Sequence, residues 1–175
     1  MDSLRFPIGK YTVPTSFTTD ERIGWVHDIK QLPIKLKQSI EGLTDEALNT
    51  PYREGGWTIR QVIHHLADSH MNSFIRFKLA LTEDYPTIKT YEENKWAELE
   101  DSLGSVSTSL QIIDGLHERW GILLESLSEE DFQKGFYHPE IGRVTLGAVT
   151  ALYSWHSRHH HAHIELAKRN ATKEN

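Results

Sequence analysis

Apolar side chains recur at steps of three and four residues over four separate stretches of the chain, a spacing typical of helices that bury one face. The stretches span about residues 18–43, 59–81, 103–127 and 145–169. Few segments alternate as strands do, and the weak candidates are Val144 and the N-terminal arm. The sequence therefore predicts an all-α fold, a four-helix bundle within one domain of 175 residues.

Two of the predicted helices begin at recognisable capping motifs. Thr18 and Glu21 are spaced as a capping box ahead of the first helix, and Thr58 and Gln61 repeat that spacing ahead of the second. Pro33 falls inside the first helix, where it removes one backbone hydrogen bond and crowds the preceding turn. We therefore expect a kink or a break at Pro33.

The connections and the termini are expected to be irregular. Residues 82–103 contain a proline and no sustained period, which predicts a long crossover between helices 2 and 3, with a short helix near residues 94–98. Residues 134–142 hold glycines and a proline and are expected to form a loop. We expect residues 1–17 to be an extended arm and residues 170–175 to be a frayed tail.

The composition argues against several classes of protein. The formal net charge of -6 provides no general attraction for nucleic acid or an anionic membrane, and no apolar run reaches the roughly 18 residues of a membrane span. The absence of cysteine excludes disulfides, thiolate metal ligands and a cysteine nucleophile. Residues 1–11 lack the basic and apolar regions of a secretory signal, so a cytoplasmic protein is expected.

Eight of the 11 histidines lie in two short clusters on the second and fourth predicted helices. The first cluster holds His64, His65 and His70, and the second holds His156, His159, His160, His161 and His163. Residues i and i+4 share a helix face, so His156 with His160, or His159 with His163, can chelate one ion. Neutral imidazole suits zinc, nickel, copper and iron, and a third ligand would come from the facing second helix.

The pattern on the fourth helix leaves the choice of pair open. His156 and His160 lie on a row of three- and four-residue steps that runs from Leu146 to Ala167, as residues of a core seam do. His159 lies on a second and more apolar row of the same helix. The helix is therefore expected to bury a broad face, and either pair can point inward.

The pattern on the second helix favours His65 over His64 as the third ligand. His65 shares its row with the polar residues Ser69 and Asn72, as expected for the wall of a pocket. His64 shares its row with Asp68, which is typical of a solvated face. Candidate side chains to support the ligands are Asp68, Ser69, Asn72, Arg76 and Tyr153.

Two segments resemble the motifs of DinB-like proteins. The run WTIRQVIHHL at residues 57–66 resembles the family's opening helix motif, in which a histidine stands eight residues after a tryptophan. The run HSRHHHAHI at residues 156–164 resembles the closing motif, H-x-x-x-H-x-x-Q/H. Residues 55–58, 67–72 and 155–160 are most similar to the YfiT-type subgroup of metal-dependent hydrolases, to which a bacillithiol S-transferase subgroup is related.

The resemblance extends over nearly the whole chain and implies a set of ligands. The family's three metal ligands fall on His65, His156 and His160, and His163 stands where many members have glutamine. It also implies an all-α bundle, a homodimer and one divalent metal ion per subunit, which we expect to be zinc, with nickel as the alternative. We expect a small molecule as the substrate, and the resemblance does not identify it.

Three functions are compatible with this expectation. Three neutral histidines leave a fourth coordination position open, as in catalytic rather than structural zinc sites, which favours a metal-dependent hydrolase. The same position could bind a low-molecular-weight thiol such as bacillithiol, which is the alternative of a metal-dependent S-transferase. A non-catalytic, stress-related metal-binding bundle is the third hypothesis. Because metal binding requires neutral imidazoles, the sequence predicts that metal affinity falls below about pH 6.5.

Overall fold

The fold is helical apart from one short hairpin. The structure, a computed structural model, describes residues 2–172 of the chain. Its α-helices are α1 (Asp2–Arg5), α2 (Thr19–Ile40), α3 (Asp45–Leu48), α4 (Ile59–Thr82), α5 (Glu93–Trp96), α6 (Val106–Ser126), α7 (Glu129–Gln133) and α8 (Leu146–Ala171). The strands β1 (Gly135–His138) and β2 (Gly142–Thr145) pair antiparallel, and one 3₁₀ turn covers Glu100–Leu103. The four long helices confirm the predicted four-helix bundle.

The long helices begin where the capping motifs predict. The Thr18 side chain accepts from the backbone N–H of Glu21 while the Glu21 carboxylate accepts from the backbone of Thr18. Thr58 and Gln61 form the same reciprocal pair at the start of α4. Of the kink or break expected at Pro33, the break does not occur, since α2 continues through this buried residue to Ile40. Pro33 has no backbone N–H to donate within the helix, and its side chain is buried in the core.

The predicted crossover between the second and third long helices is confirmed, and it contains α5 and the 3₁₀ turn. The prediction of a plain loop at residues 134–142 is wrong, because this segment supplies most of the β-hairpin. Val144, a weak strand candidate in the sequence, pairs with Phe136. Gly135 allows this close approach, since a Cβ there would lie 2.0 Å from the carbonyl oxygen of Val144.

The N-terminal arm is more ordered than an extended segment would be. It begins with one helical turn, α1, and then runs irregularly along α8. The indole N–H of Trp155 donates to the carbonyl of Gly9, and the Tyr11 hydroxyl donates to the carbonyl of Ala148. At the other terminus α8 persists to Ala171, and residues 173–175 of the predicted frayed tail lie outside the described part of the chain.

The order of the long helices around the bundle brings α4 beside α8. Helix α2 packs against α6 and α8, and helix α4 packs against the same two helices. Helices α2 and α4 are therefore diagonal, as are α6 and α8. Every helix within residues 2–172 is too short or too polar to span a lipid bilayer.

Histidines divide the apolar core into two clusters. On α6, Ile113 belongs to one cluster and Trp120 to the other, and the buried His117 lies between them. On α4, Leu66 and Phe74 belong to different clusters and flank the buried His70 in the same way. The middle of the bundle is therefore a polar layer between two apolar clusters, and such a layer requires internal partners for its nitrogen atoms.

Candidate metal centre

Three histidines converge where α4 packs against α8. His65 comes from α4, and His156 and His160 come from successive turns of α8. One ring nitrogen of each lies within 4.8 Å of the others, and this is the group of three metal-binding side chains that the described residues form. The ring centres of His156 and His160 are 4.4 Å apart, and those of His65 and His160 are 4.7 Å apart. The structure therefore brings together the three residues that the sequence motifs point to.

The donor atoms fit a divalent ion. Nε2 of His65 and Nε2 of His156 are 3.2 Å apart. Two imidazole nitrogens bound to one tetrahedral zinc at about 2.0–2.1 Å are separated by about 3.3 Å. Among the described residues Nε2 of His160 has no protein hydrogen bond, while its Nδ1 contacts Nδ1 of His163 at 3.4 Å. The site can therefore accept a zinc-sized ion with little rearrangement of His65 and His156.

The three imidazoles are held in the neutral form that binds metal. Burial, with smaller contributions from the nearby His159 and His163, lowers the pKa of His65 to about 4. Burial is also the main reason why the pKa values of His156 and His160 lie well below the usual imidazole value of 6.5. Neutral rings at pH 7 offer a lone pair without first releasing a proton.

The alternative pair on α8, His159 and His163, lies to one side of this group. His159 stacks on Trp155 with ring centres 4.2 Å apart, and His163 stacks on Tyr52 at 3.9 Å. The Nε2–H of His163 donates to the backbone carbonyl of Arg5 at 3.2 Å. Both rings are thus held by aromatic packing or by the N-terminal arm, and neither joins His65 in a group of three ligand atoms.

The prediction of a solvated face for His64 is wrong. His64 is 6% exposed, and its Nε2–H donates to the carbonyl of Gly104 at 3.2 Å. Its Nδ1 lies 2.7 Å from the hydroxyl of Ser109 on α6. The His64 ring thus contacts α6 and the segment before it rather than water. His65 is the histidine of the two that faces α8.

Two buried histidines behind the site are not identified as functional by the sequence. His70 is 0% exposed, and its Nε2 lies 3.1 Å from Nδ1 of His156. Its Nδ1 lies 2.9 Å from Nε2 of His117, which is 2% exposed. The Nδ1–H of His117 donates to the backbone carbonyl of Ile29 at 2.7 Å. The available signal is a histidine within an otherwise apolar row of each helix, and that signal fits a plain core position equally well.

Two cavities meet at His156. A cavity of about 340 Å³ is lined by His65, His156 and His160, and a cavity of about 660 Å³ extends from His156 to Arg76 and the hairpin. Glu93 of α5 lines both cavities, and burial raises the pKa of its carboxyl group. The sequence offers no signal for Glu93, because the crossover that carries it has no period.

The predicted supporting residues divide into two sets. Ser69, Arg76 and Tyr153 line the larger cavity, and the Tyr153 hydroxyl donates to the carbonyl of Ser69 at 3.1 Å while its oxygen lies 3.1 Å from the Ser69 hydroxyl. Asn72 instead donates to the backbone carbonyl of Asp68 at 2.9 Å. The first set can contact a ligand beside His156. Asn72 instead makes a hydrogen bond within α4.

Comparison with known proteins agrees with this geometry. A family model described as the DinB superfamily matches residues 29–164. Two relatives, one from Bacillus cereus and one from Bacillus anthracis, carry the provisional name of metal-dependent hydrolase. They are 54% and 53% identical over 164 residues, which cover 94% of this chain and 95% of each relative.

A solved structure matches the fold closely. YfiT from Bacillus subtilis, described as a probable metal-dependent hydrolase with an unusual four-helix bundle topology, superposes with a TM-score of 0.92 at 49% identity. The match covers 96% of this chain and 97% of that one. The chain therefore belongs to the DinB superfamily.

Proposed function

We propose that this member of the DinB superfamily is a metal-dependent hydrolase in which His65, His156 and His160 hold one divalent ion, zinc in the cell. The observation that carries the proposal is the convergence of three neutral ring nitrogens beside a cavity. A divalent ion on three imidazoles supplies a Lewis acid with a free coordination position. The provisional hydrolase names of the relatives support the reaction class.

Glu93 is the proposed acid and base of the reaction. Glu93 lines both of the cavities that His156 lines, and burial raises the pKa of its carboxyl group above the ordinary value. A carboxyl group at such a position can accept a proton and return it. Glu93 takes the proton from the attacking water as the water oxygen bonds to the carbonyl carbon. It then donates that proton to the leaving nitrogen or oxygen as the scissile bond breaks.

The larger cavity is the proposed substrate pocket. Its volume of about 660 Å³ suits a small molecule rather than a polymer. Arg76 and Lys95 line its wall together with Glu92, Glu93 and Glu140, and Lys95 pairs with Glu92. Arg76 is therefore the cation available to an acidic group of a substrate, and the Tyr153 ring lies 5.3 Å from the ring of His156. We propose that the substrate is a small amide or ester whose acidic group lies against Arg76.

Metal content tests the ligand assignment. Untagged protein is expected to carry about one zinc or nickel ion per chain by inductively coupled plasma mass spectrometry, with zinc taken up in preference when both are supplied at cellular levels. The variants His156→Ala and His160→Ala should lose that ion. His159→Ala is the matched control on the same helix and should retain it. Loss in His159→Ala with retention in the other two variants would contradict the assignment.

A substrate screen tests the reaction class. The zinc-loaded protein is expected to hydrolyse members of a panel of small acidic amides and esters. Glu93→Gln should lower kcat by on the order of 100-fold while the metal content is unchanged. Activity confined to transfer of a low-molecular-weight thiol would instead identify an S-transferase, and a fully loaded protein inactive on the entire panel would favour a non-catalytic metal-binding bundle.

Two further parts of the proposal concern assembly and compartment. We propose a homodimer in the cytoplasm, on the basis of the family resemblance and of the cysteine-free composition. Multi-angle light scattering should give a mass of twice 20.2 kDa. A mass of 20.2 kDa across micromolar concentrations would contradict the dimer.

A further inference from the structure

The histidines behind the metal centre form a continuous chain of ring nitrogens from the core to the site. We call the set His117, His70 and His156, together with the backbone carbonyl of Ile29, the histidine relay. Its three links measure 2.7, 2.9 and 3.1 Å from the carbonyl outward. His70 and His117 are 0% and 2% exposed, so water does not compete for their ring nitrogens.

The carbonyl end sets the direction of every hydrogen bond in the relay. A carbonyl oxygen can only accept, so Nδ1 of His117 must carry the proton in that link. A neutral imidazole has one donor and one acceptor, which makes Nε2 of His117 the acceptor for Nδ1–H of His70. By the same rule, Nε2 of His70 accepts from Nδ1–H of His156.

The outer end of the relay is a lone pair aimed at the site. With its proton on Nδ1, His156 has an unprotonated Nε2, which is the atom 3.2 Å from Nε2 of His65. We infer that the histidine relay positions His156 as a metal ligand, because it holds both the ring orientation and the tautomer that leaves Nε2 free. His70 and His117 are thus positioning residues that act through His156. The inference rests on the metal centre proposed above and not on the hydrolase reaction.

The surroundings of His70 show why the relay is rigid. The rings of Trp120 and Tyr153 meet the His70 ring edge to face, with ring centres 5.7 and 4.9 Å away. The ring of His117 stacks on it at 4.9 Å. A rotation of His70 would break two hydrogen bonds in a dry core and leave its nitrogens without partners. Such outer partners commonly tune the orientation and basicity of a ligating histidine.

The first test reads the tautomers directly in the wild-type protein. Metal-free protein labelled with ¹⁵N-histidine is examined by two-bond ¹H–¹⁵N correlation, which distinguishes Nδ1–H from Nε2–H rings. The spectra of His70→Gln and His117→Gln identify the signals. The expected result is the Nδ1–H tautomer for His70, His117 and His156. The Nε2–H tautomer at His70 or His156 would overturn the inference.

The second test measures zinc affinity in matched variants. His117→Leu removes the end of the relay and is expected to weaken zinc binding by about 10-fold or more, as loss of an outer partner commonly does. His117→Gln retains a donor for Ile29 and an acceptor for His70, so it should restore part of the affinity. His64→Leu is the control, because His64 is also buried and lies outside the relay.

The outcomes separate positioning from loss of core packing. Equal weakening in His64→Leu and His117→Leu, without rescue by glutamine, would overturn the inference. If the leucine variants do not fold, the wild-type spectra decide the question by themselves. A protein that binds no zinc would refute the proposed metal centre, whereas inactivity on every substrate would refute only the hydrolase reaction and leave the relay testable.

Discussion

Adjacent histidines on α4 have opposite surroundings. His64 and His65 are 6% and 5% exposed, and burial lowers the pKa of both. Both ring nitrogens of His64 have partners in the protein, the Ser109 hydroxyl and the Gly104 carbonyl. Nε2 of His65 instead faces Nε2 of His156. Burial thus does not distinguish a structural histidine from a candidate ligand, whereas converging ring nitrogens do.

The largest expected effect comes from substituting each of the two histidines in turn, which tests the difference between them directly. His65→Ala should weaken zinc binding by more than about 100-fold, since even an outer partner of a ligand accounts for about 10–100-fold. His64→Ala should leave zinc affinity unchanged and lower the free energy of unfolding by about 1–3 kcal/mol, because buried polar groups lose their partners. Isothermal titration and urea unfolding measure the two effects. Similar zinc affinities in the two variants would contradict the distinction.

The next largest effect is expected in the pH dependence of zinc binding, which tests whether the ligands titrate as buried or as exposed histidines. Protons compete with the ion only as the pH approaches the pKa of the folded, metal-free ligands, and that of His65 is lowered to about 4. Affinity should therefore stay level from pH 7.5 to about pH 5 and fall towards pH 4, in place of the decline below about 6.5 expected for unperturbed imidazoles. Competition with a calibrated chelator at each pH measures this. An inflection near 6.5 would show that the ligands titrate as exposed histidines.

The metal-free protein should lose stability as the pH falls below about 6.5, which is a wider range than that of the change in zinc affinity. The pKa of His117 and of His65 is lowered to about 4 by burial, so the unfolded chain takes up protons below about pH 6.5 that the folded chain does not. Thermal unfolding without metal should show Tm decreasing from pH 6.5 to pH 4. The lowered pKa of His64 contributes to stability in the same direction as that of His65. The pH dependence of stability should therefore not distinguish the two histidines, whereas the effect of added zinc should. A Tm independent of pH in this range would contradict the neutral buried forms.

A smaller effect is expected at His163, which contacts the ligand His160 and the arm. His163→Leu removes the contact of Nδ1 with Nδ1 of His160 and should weaken zinc binding by about 10-fold. His163→Gln keeps a donor and an acceptor and should bind zinc more tightly than the leucine variant. Titration with zinc measures both. Equal affinities for leucine and glutamine would show that the 3.4 Å contact does not support the ligand.

The smallest expected effect is at Ser109, the partner of His64. Ser109→Ala removes a hydrogen bond of 2.7 Å between α4 and α6 and should lower the free energy of unfolding by about 1 kcal/mol. Zinc affinity should not change. A decrease in zinc affinity would mean that His64 and His65 are coupled, and the contrast between them would then have to be abandoned.

Local signals were sufficient for the helices and for part of the site. The 3.6-residue period and the capping boxes at Thr18 and Thr58 predict helices whose bounds lie within a few residues of the observed ones. The three- and four-residue row on α8 contains His156 and His160, and its members are buried or half-buried. Periodicity alone could not exclude the row of His159, because α8 is covered on a broad face that includes the N-terminal arm.

The errors arise where the partner of a helix face decides its environment. His64 lies on the row of α4 that was expected to face solvent, and it is buried because α6 packs against α4 there. Pro33 remains helical because tertiary packing covers it. Glu93 reaches the site from a nonperiodic crossover, which no spacing rule places in space. Each error concerns contacts between distant segments, which hydrophobic patterning does not encode.

The diagonal arrangement of the helices has a consequence for how the protein is made. His65 and His156 are 91 residues apart, and they meet because α8 packs beside α4. During synthesis from the N-terminus, a chain extending through α6 carries one of the three candidate ligands and lacks the other two. The ion would therefore bind only after α8 has packed against the other helices, so a bound ion would indicate that the bundle is complete.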